Sequence, residues 1–448
     1  VDYQIHGFED LRLHANFGAD YSSGVQRYDN SAFGTANHYY GWSGYDLKHK
    51  YNLQFSAYAQ YYKDFSETQH FDIKAGYEWQ HFYNDYYNIG NGFYRDTNND
   101  PEKRGTKYPE SESSSKTESY IVSFFGRANY IGWNQLMLTA TVRADGSSRF
   151  APEHRWGIFP SVALGWKIKE TFLQDVNEIN DLKLRLGYGI TGQQETGLGD
   201  YPYMATYTIS QDHAYYPIGG EENMLLDKEG NPVKDSNGNQ LYTTYRPNAF
   251  NRYLTWEKTT TYNAGIDFGF LNNRVSGSID YYFRQTDDLL NTIPVAVGTN
   301  FRNKVISNVG SLNNQGVEFA INAVAIDKKN FKWDLGFNIT YNENKITKLN
   351  TGEDQTPIPV GGISCGTGNT IQRHAVGYPA YSFYVYEAAE GTHENGEKYW
   401  YVVDRNEDGE ISEADQYYYK SRNAPITMGF QTKFQFYGFD LGISLRSN

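Results

Sequence analysis

One stretch of the chain, residues 136–145, limits what the sequence can fold into. Its apolar residues fall on every second position: Leu136, Leu138, Ala140, Val142 and Ala144. Polar residues fill the positions between them, among them Arg143 and Asp145. Because successive side chains of a β-strand point to opposite faces, this pattern predicts a strand with one apolar and one polar face. Unpaired charges are not buried in a closed two-layer core, so the polar face must meet water or another polar body.

The same alternation recurs along the chain in about 14 segments. Short turns are expected at one end of these strands, near residues 7, 66, 132, 272, 329 and 437, together with an acidic connector over residues 170–181. Long polar loops are expected at the other end, over about residues 21–48, 83–118, 191–257, 285–315 and 342–424. Outer-membrane barrels have short periplasmic turns and long extracellular loops, whereas a soluble sandwich has no reason to keep this order.

Strand length and composition agree with a membrane barrel. A strand of about 11 residues at roughly 3.4 Å per residue, tilted by about 40°, spans roughly 28 Å, which is close to the apolar band of such a barrel. The chain has 448 residues with 41 Tyr and 43 Gly, a composition that favours strands joined by turns. No apolar run approaches the roughly 20 residues that a transmembrane helix needs. The sequence therefore predicts an all-β protein, with residues 1–448 forming one transmembrane antiparallel β-barrel domain that is incomplete at both ends.

Several function classes are disfavoured by the same sequence. The net charge of −13 argues against a nucleic-acid partner, because phosphates require basic patches. The single cysteine, Cys365, excludes an intrachain disulfide. No His pair and no Ser, His and Asp arrangement indicates a catalytic site, so no enzyme activity is expected. Residues 187–192 match the dinucleotide fingerprint G-x-G-x-x-G, but the first two glycines, Gly187 and Gly189, fall on the polar face of a predicted strand, where small residues leave room for a body inside the barrel.

Residues 404–415 fit a twelve-residue calcium loop. Asp404, Asn406 and Asp408 hold the first, third and fifth positions. Gly409 holds the sixth, where the pattern turns sharply, and Glu410 at the seventh supplies a backbone carbonyl. The twelfth position holds Asp415, one methylene shorter than the bidentate Glu of the pattern, and residues 399–403 read as a strand where a helix would flank the loop. The alternative is an acidic turn without a metal. We expect an extracellular loop that binds calcium weakly at best.

Several motifs resemble those of the SusC/RagA family of TonB-dependent outer-membrane transporters. They are R-A-D-G-S-S-R-F at residues 143–150, R-W-G at 155–157, F-P-S at 159–161, K-L-R-L-G-Y-G at 183–189, T-G at 191–192, N-V-G at 308–310 and G-V-E at 316–318. The resemblance implies a barrel of about 22 strands around an N-terminal plug, energised by the TonB-ExbB-ExbD complex. It also implies a SusD-like surface lipoprotein over the extracellular mouth and an oligosaccharide or peptide ligand.

The implied function is active import of a nutrient across the bacterial outer membrane by a SusCD-type complex. Two alternatives stay open: a passive porin, which would lack a plug, and a secreted all-β domain that binds or cleaves glycans. Since the chain begins in strand-like sequence without a signal peptide, a plug is expected upstream of Val1. The polar face carries charges of both signs, which suit a plug seated by polar contacts: Arg143, Asp145, Lys183, Arg185, Asp267, Asp280, Arg284, Glu318 and Asp334.

Overall fold

The architecture is that of a computed structural model, which describes residues 1–30, 39–95, 104–195, 199–214, 223–226, 230–235, 237–294, 304–349, 355–363 and 366–448. Strands dominate these residues, and Cys365 lies outside them. The strands are β1 (Asp2–Gln4), β2 (Leu11–Asn30), β3 (Tyr39–Ser66), β4 (Gln69–Arg95), β5 (Arg104–Gly132), β6 (Leu136–Ser147), β7 (Trp156–Lys167), β8 (Ile179–Gln193), β9 (Tyr207–Ala214), β10 (Tyr242–Pro247), β11 (Glu257–Phe270), β12 (Val275–Pro294), β13 (Lys304–Lys328), β14 (Phe331–Lys348), β15 (Ile358–Ile363), β16 (Gly366–His374), β17 (Ser382–Val385), β18 (Ala388–Thr392), β19 (Lys398–Val402), β20 (Tyr417–Ser421), β21 (Ile426–Phe436) and β22 (Phe439–Ser447).

Fourteen of the described strands belong to the main antiparallel sheet, the number that the alternation predicts. The chain divides into two compact units, of which the first comprises Val1–Tyr130, Ala140–Pro160 and Gln194–Pro202. In this unit β1 pairs with β2, β2 with β3 and β3 with β4, always antiparallel. The predicted all-β fold is therefore confirmed, and the hairpin predicted around residue 66 closes where Ser66 lies opposite Gln69.

The second unit comprises Ile131–Thr139, Ser161–Gln193 and Tyr203–Asn448. Its antiparallel neighbours follow the order β7, β8, β11, β12, β13, β14, β21 and β22. Strand β11 pairs directly with β8, and β9 and β10, which lie between them in the chain, pair with each other in a separate two-stranded sheet. The tight turns predicted near residues 272 and 437 are confirmed, and both contain left-handed residues, such as Asn272 (φ 57°) and Gly438 (φ 90°).

The two faces of the main sheet differ in the way that the alternation predicts. Large apolar side chains of one face stay exposed, with Leu138 at 40% and Ile266 at 41%. Fully buried apolar residues are few in the described part of the chain, and they include Phe150, Leu254 and Trp256. A water-soluble protein rarely leaves so continuous an apolar surface uncovered. This face is therefore suited to contact lipid.

The prediction of three of the long loops is wrong, because most of their residues belong to strands. Strands β2 and β3 continue through most of residues 21–48, β4 and β5 through most of 83–118, and β12 and β13 through most of 285–315. Beyond a bilayer no lipid selects an apolar face, so the alternation fades while the backbone ladder continues. The alternation therefore marks the membrane-facing part of each strand and not its full length.

The remaining connections contain further helical and strand elements. Helix α1 (Ile168–Phe172) forms one turn that runs into the start of the acidic connector. Between β14 and β21, a four-stranded sheet of β15, β16, β17 and β20 accompanies the hairpin of β18 and β19. In the ranges that the structure describes, no helix has the length and apolar character needed to cross a membrane.

Candidate functional site

Arg143 on the polar face is paired with carboxylates of neighbouring residues. In the first unit the Arg143 guanidinium lies 2.9 Å from Glu78 Oε2, and it donates to Asp145 Oδ1 at 2.7 Å and to Ser123 Oγ at 2.8 Å. The amide of Gln54 donates to the other Glu78 oxygen at 2.8 Å. Each carboxylate therefore has a partner within the wall, which lowers the cost of placing charges on a partly buried surface.

A second cluster spans three strands of the second unit. Arg185 on β8 lies opposite Gly265 on β11, which lies opposite Asp280 on β12. The guanidinium donates to both Asp267 oxygens at 2.8 and 2.9 Å and reaches the Asp280 oxygens at 2.9 and 3.0 Å. A Cβ at residue 265 would collide with Asp280 Oδ1. Glycine therefore gives the guanidinium the space to cross β11.

The other charges predicted for the polar face have varied surroundings. Asp334 lies 3.6 Å from Lys332, and the Arg284 guanidinium lies 5.0 Å from the ring centre of Tyr282. Lys183 is opposite Asp267, whereas Glu318 is opposite Asp280. The sequence alone identified these charges but not their partners, because partners depend on the strand register.

The motif at residues 143–150 holds the connection between β6 and β7 in place by hydrogen bonds and burial. The Tyr120 backbone N–H donates to Ser148 Oγ at 2.8 Å, and Ser148 N–H donates to the Tyr120 carbonyl at 3.0 Å. Arg149 Nε donates to the buried carboxylate of Asp200 at 3.0 Å, while Phe150 is completely buried. This motif therefore has a structural role within the first unit.

The motif at residues 308–310 has a similar role in the second unit. The Asn308 amide donates to the carbonyls of Thr255 and Asp288 at 2.9 and 2.8 Å, and its oxygen accepts the Thr255 N–H at 3.0 Å. Val309 beside it is buried. Asn308 thus anchors the segment that leads into β11 against β12.

The loop of residues 404–415 is organised by its own hydrogen bonds. Gly409 has a φ of 88°, which gives the sharp turn expected at the sixth position, and its N–H donates to Asp404 Oδ2 at 2.8 Å. Asp415 is completely buried and accepts the N–H groups of Arg405 and Ser412 at 2.8 Å. These donors, Ser412 first, hold the pKa of Asp415 below its usual value.

The other predicted ligands of this loop bind mainly each other. Asn406 Nδ2 donates to Asp408 Oδ2 at 2.8 Å, and Glu410 N–H donates to Asp408 Oδ1 at 2.8 Å. Asp404 Oδ1 is buried without a hydrogen-bond partner. Within the described ranges no group of three or more His, Cys, Asp or Glu side chains is placed to hold a metal ion. Calcium binding therefore stays a prediction.

The dinucleotide match at residues 187–192 lies entirely within β8. Its residues pair with β11, with Gly187 opposite Asn263 and Gly192 opposite Lys258. A phosphate-binding loop needs backbone N–H groups free at a helix N-terminus, and a paired strand does not offer them. The interpretation of Gly187 and Gly189 as small polar-face residues agrees with the register, in which they alternate with Tyr188 and share the face of Arg185.

Known proteins match most or all of the chain. A family model described as TonB dependent receptor-like, beta-barrel matches residues 2–443. The TonB-dependent receptor SusC of Bacteroides thetaiotaomicron is 45% identical, and the match covers 100% of this chain and 42% of that protein. TonB-dependent receptor P3 of Formosa agariphila is 30% identical over 75% of this chain and 32% of its own length. The chain thus spans less than half the length of these relatives.

Solved structures show the same fold. The RagAB peptide importer in its open-open state has a TM-score of 0.77 and 24% identity, and the match covers 97% of this chain and 44% of that one. The outer-membrane transporter YddB of Escherichia coli has a TM-score of 0.52 and 10% identity, and the match covers 94% of this chain and 54% of that one. These proteins are receptors and transporters, not enzymes, as predicted for this chain. The chain therefore belongs to the TonB-dependent receptor β-barrel family of the bacterial outer membrane.

Proposed function

We propose that this chain forms wall strands of a TonB-dependent importer that carries an oligosaccharide or a peptide across the outer membrane. The observation that carries the proposal is the division of the sheet into an exposed apolar face and a polar face on which Arg143 and Arg185 are paired with carboxylates. In a membrane barrel the apolar face meets lipid and the polar face lines the interior. A wide interior requires a plug if it is not to remain an open pore.

The proposed partners follow from the relatives. SusC and the RagAB importer support a SusCD-type assembly, with a SusD-like surface lipoprotein and energy from the TonB-ExbB-ExbD complex. The peptide named for RagAB supports one substrate class, and the resemblance to SusC-like importers supports oligosaccharides as the other. Membership of an outer-membrane family disfavours the alternative of a secreted domain that binds or cleaves glycans.

Uptake measurements separate active import from passive diffusion. Cells that lack the full-length protein, cells that lack TonB and wild-type cells would be given labelled oligosaccharides and labelled peptides. An importer predicts loss of uptake of one substrate class in both mutants, with recovery when each gene is restored. Uptake that needs the protein but continues without TonB would replace this proposal by the porin alternative.

A further inference from the structure

Three rows of residues on the polar face of β2, β3 and β4 form a surface on the side of the sheet that does not contact lipid. The register places Tyr28 opposite Gly44 and Gly44 opposite Gly90, while Asp46 lies opposite Asn88 and Lys48 opposite Tyr86. All lie on the polar face and in the first unit. They are more than 15 residues from the short turn at Ser66, and so lie towards the long-loop end of the strands.

Aromatic rings cover a floor of glycines in these rows, and one of the rings comes from Trp42, which lies opposite Asn30 and Gly92 in the adjoining row. A Cβ at Gly44 would lie 2.5 Å from the Tyr28 hydroxyl oxygen and 2.7 Å from its Cζ. A Cβ at Gly90 would lie 2.6 Å from Trp42 Cζ2 and 2.8 Å from the Tyr28 hydroxyl oxygen. The rings of Tyr28 and Trp42 therefore occupy the space that side chains at residues 44 and 90 would fill. Glycine in a strand commonly marks such a close approach.

A hydrogen-bond network runs beside these rings. Asp46 Oδ1 accepts the Tyr86 hydroxyl at 3.1 Å and the Asn88 amide at 2.5 Å. The same Asn88 amide donates to the Tyr28 hydroxyl at 3.2 Å. Lys48 Nζ lies 5.5 Å from the centre of the Tyr86 ring. Both bonds to Asp46 use one oxygen, so a carboxylate with about four acceptor sites keeps capacity for a ligand.

We propose that Tyr28, Trp42, Asp46, Tyr86 and Asn88 form a binding site for a neutral oligosaccharide on the inner wall. This aromatic platform deepens the proposed import function and rests on it. The aromatic rings offer apolar area to the CH faces of sugar rings, and the carboxylate, amide and hydroxyls bind sugar hydroxyl groups. A few convergent polar groups beside aromatic surface are typical of small-molecule sites.

Two features favour a neutral sugar over a peptide. Strand β3 pairs on both sides at these rows, so it offers no free edge to which an extended peptide could add a strand. Asp46 and Lys48 are the charged residues on the polar face within the three rows, and their charges cancel. A site without net charge has no electrostatic preference for a charged peptide.

The test is ligand binding by the full-length protein purified in detergent with any lipoprotein that accompanies it. The probe is a pool of neutral oligosaccharides of five to ten sugars prepared from an α-glucan, a β-glucan, a mannan and a xylan. Titration calorimetry should show binding that Trp42→Ala and Tyr28→Ala each weaken by about thirtyfold, as expected for an aromatic anchor. Trp42→Phe should retain binding within about threefold while losing the ligand-induced change in tryptophan fluorescence.

Tyr45→Ala is the matched control, because Tyr45 is on the same strand but on the opposite face and is 37% exposed. It should bind the pool like the wild type. Comparable weakening by Tyr45→Ala, or unchanged binding by Trp42→Ala in a protein that still migrates as a folded barrel, would overturn the assignment. Binding of a neutral peptide pool, and not of the sugars, would overturn the ligand class.

Failure of this inference can be distinguished from failure of the import proposal. If uptake requires TonB but Trp42→Ala transports and binds sugars normally, the importer stands and the aromatic platform is not its ligand site. If uptake continues without TonB, the import proposal fails whatever the platform binds.

Discussion

At the scale of single residues, the absence of a side chain at Gly265 leaves room for the ion-pair cluster of Arg185 on the polar face. Gly265 lies beneath the guanidinium of Arg185, and a Cβ there would lie 2.8 Å from Arg185 Nη2. In the same sheet Gly187 is unconstrained, since a Cβ there would have Asn263 Cβ as its nearest neighbour, at 3.8 Å. Two glycines that look alike in the sequence therefore have different tolerances.

We predict that Gly265→Ala destabilises the folded protein by about 1–3 kcal/mol, because the added methyl group displaces the Arg185 cluster. Gly187→Ala should change stability by less than about 0.5 kcal/mol, as is usual where nothing is displaced. The measurement is the temperature at which each purified variant loses its folded mobility on gels. Equal shifts for both variants would show that the cluster adapts to the methyl group.

The loop of residues 404–415 shows what sequence spacing reveals about a site. Spacing correctly indicated a turn at Gly409 and strand structure before the loop, in β19. It did not reveal that Asp415 points at backbone N–H groups, because spacing fixes which residues share a loop but not the direction of each side chain. The five residues of the aromatic platform were missed because their segments were interpreted as loops.

We predict that this loop binds calcium with roughly millimolar affinity. Asp404 Oδ1 has no hydrogen-bond partner, whereas Asp415 is already bonded to the backbone and cannot bind as a full bidentate ligand. Calorimetric titration of the chelator-treated full-length protein with calcium should show weak binding that Asp404→Asn abolishes. Micromolar affinity would mean that Asp415 reorients, and an absence of heat would identify the loop as an acidic turn.

At the scale of elements, apolar alternation predicted the membrane-facing half of each strand and not its extension. The pairing of β3 with β4 shows this most clearly, because it continues to Tyr39 opposite Tyr94, far beyond the last clear alternation near Trp79. Past the lipid, Tyr and Gly pairs fill the polar face, and neither period nor hydropathy distinguishes them from loop residues. The turns near residues 272 and 437 were predictable because such tight turns need left-handed residues such as Asn and Gly.

The assignment of one face of each strand to the lipid gives a prediction at this scale. Leu138→Arg and Ile266→Arg should each cost about 2–4 kcal/mol and lower the yield of assembled protein, since a charge would enter the lipid. Thr141→Arg on the polar face of β6 should be mild. The readout is the fraction of heat-modifiable protein in isolated outer membranes. Similar yields for all three variants would mean that the faces are assigned wrongly.

At the scale of the whole molecule, the comparison with known proteins confirms the family, which the sequence pattern of this chain could only suggest. Motifs and alternation identified the architecture, and the match across residues 2–443 confirms the family. The relatives are more than twice as long as the region matched, so each contains long segments that have no counterpart among the residues compared. Substrate identity was not readable, because aromatic residues contact sugars and pack on each other equally well.

We predict that the native gene encodes a plug domain upstream of Val1, because the polar face must be filled to prevent an open pore. Mass spectrometry of the protein isolated from its own membrane should detect peptides that precede Val1 in the gene. The electrical conductance of bilayers containing the intact protein should be low and should rise when that upstream region is deleted. A mature N-terminus at Val1 together with high conductance would establish a porin.

The length of the first hairpins determines which part of the protein is exposed outside the cell. Strand β3 has 28 residues and β4 has 27, which at roughly 3.4 Å each and a tilt of about 40° corresponds to a rise of about 70 Å, against an apolar band of about 25 Å. More than half of this hairpin therefore projects beyond the lipid as ordered β-structure. Antibodies and bacteriophages would recognise side chains that are brought together across neighbouring strands. Linear peptides copied from residues 83–95 should accordingly make poor vaccines against the folded receptor.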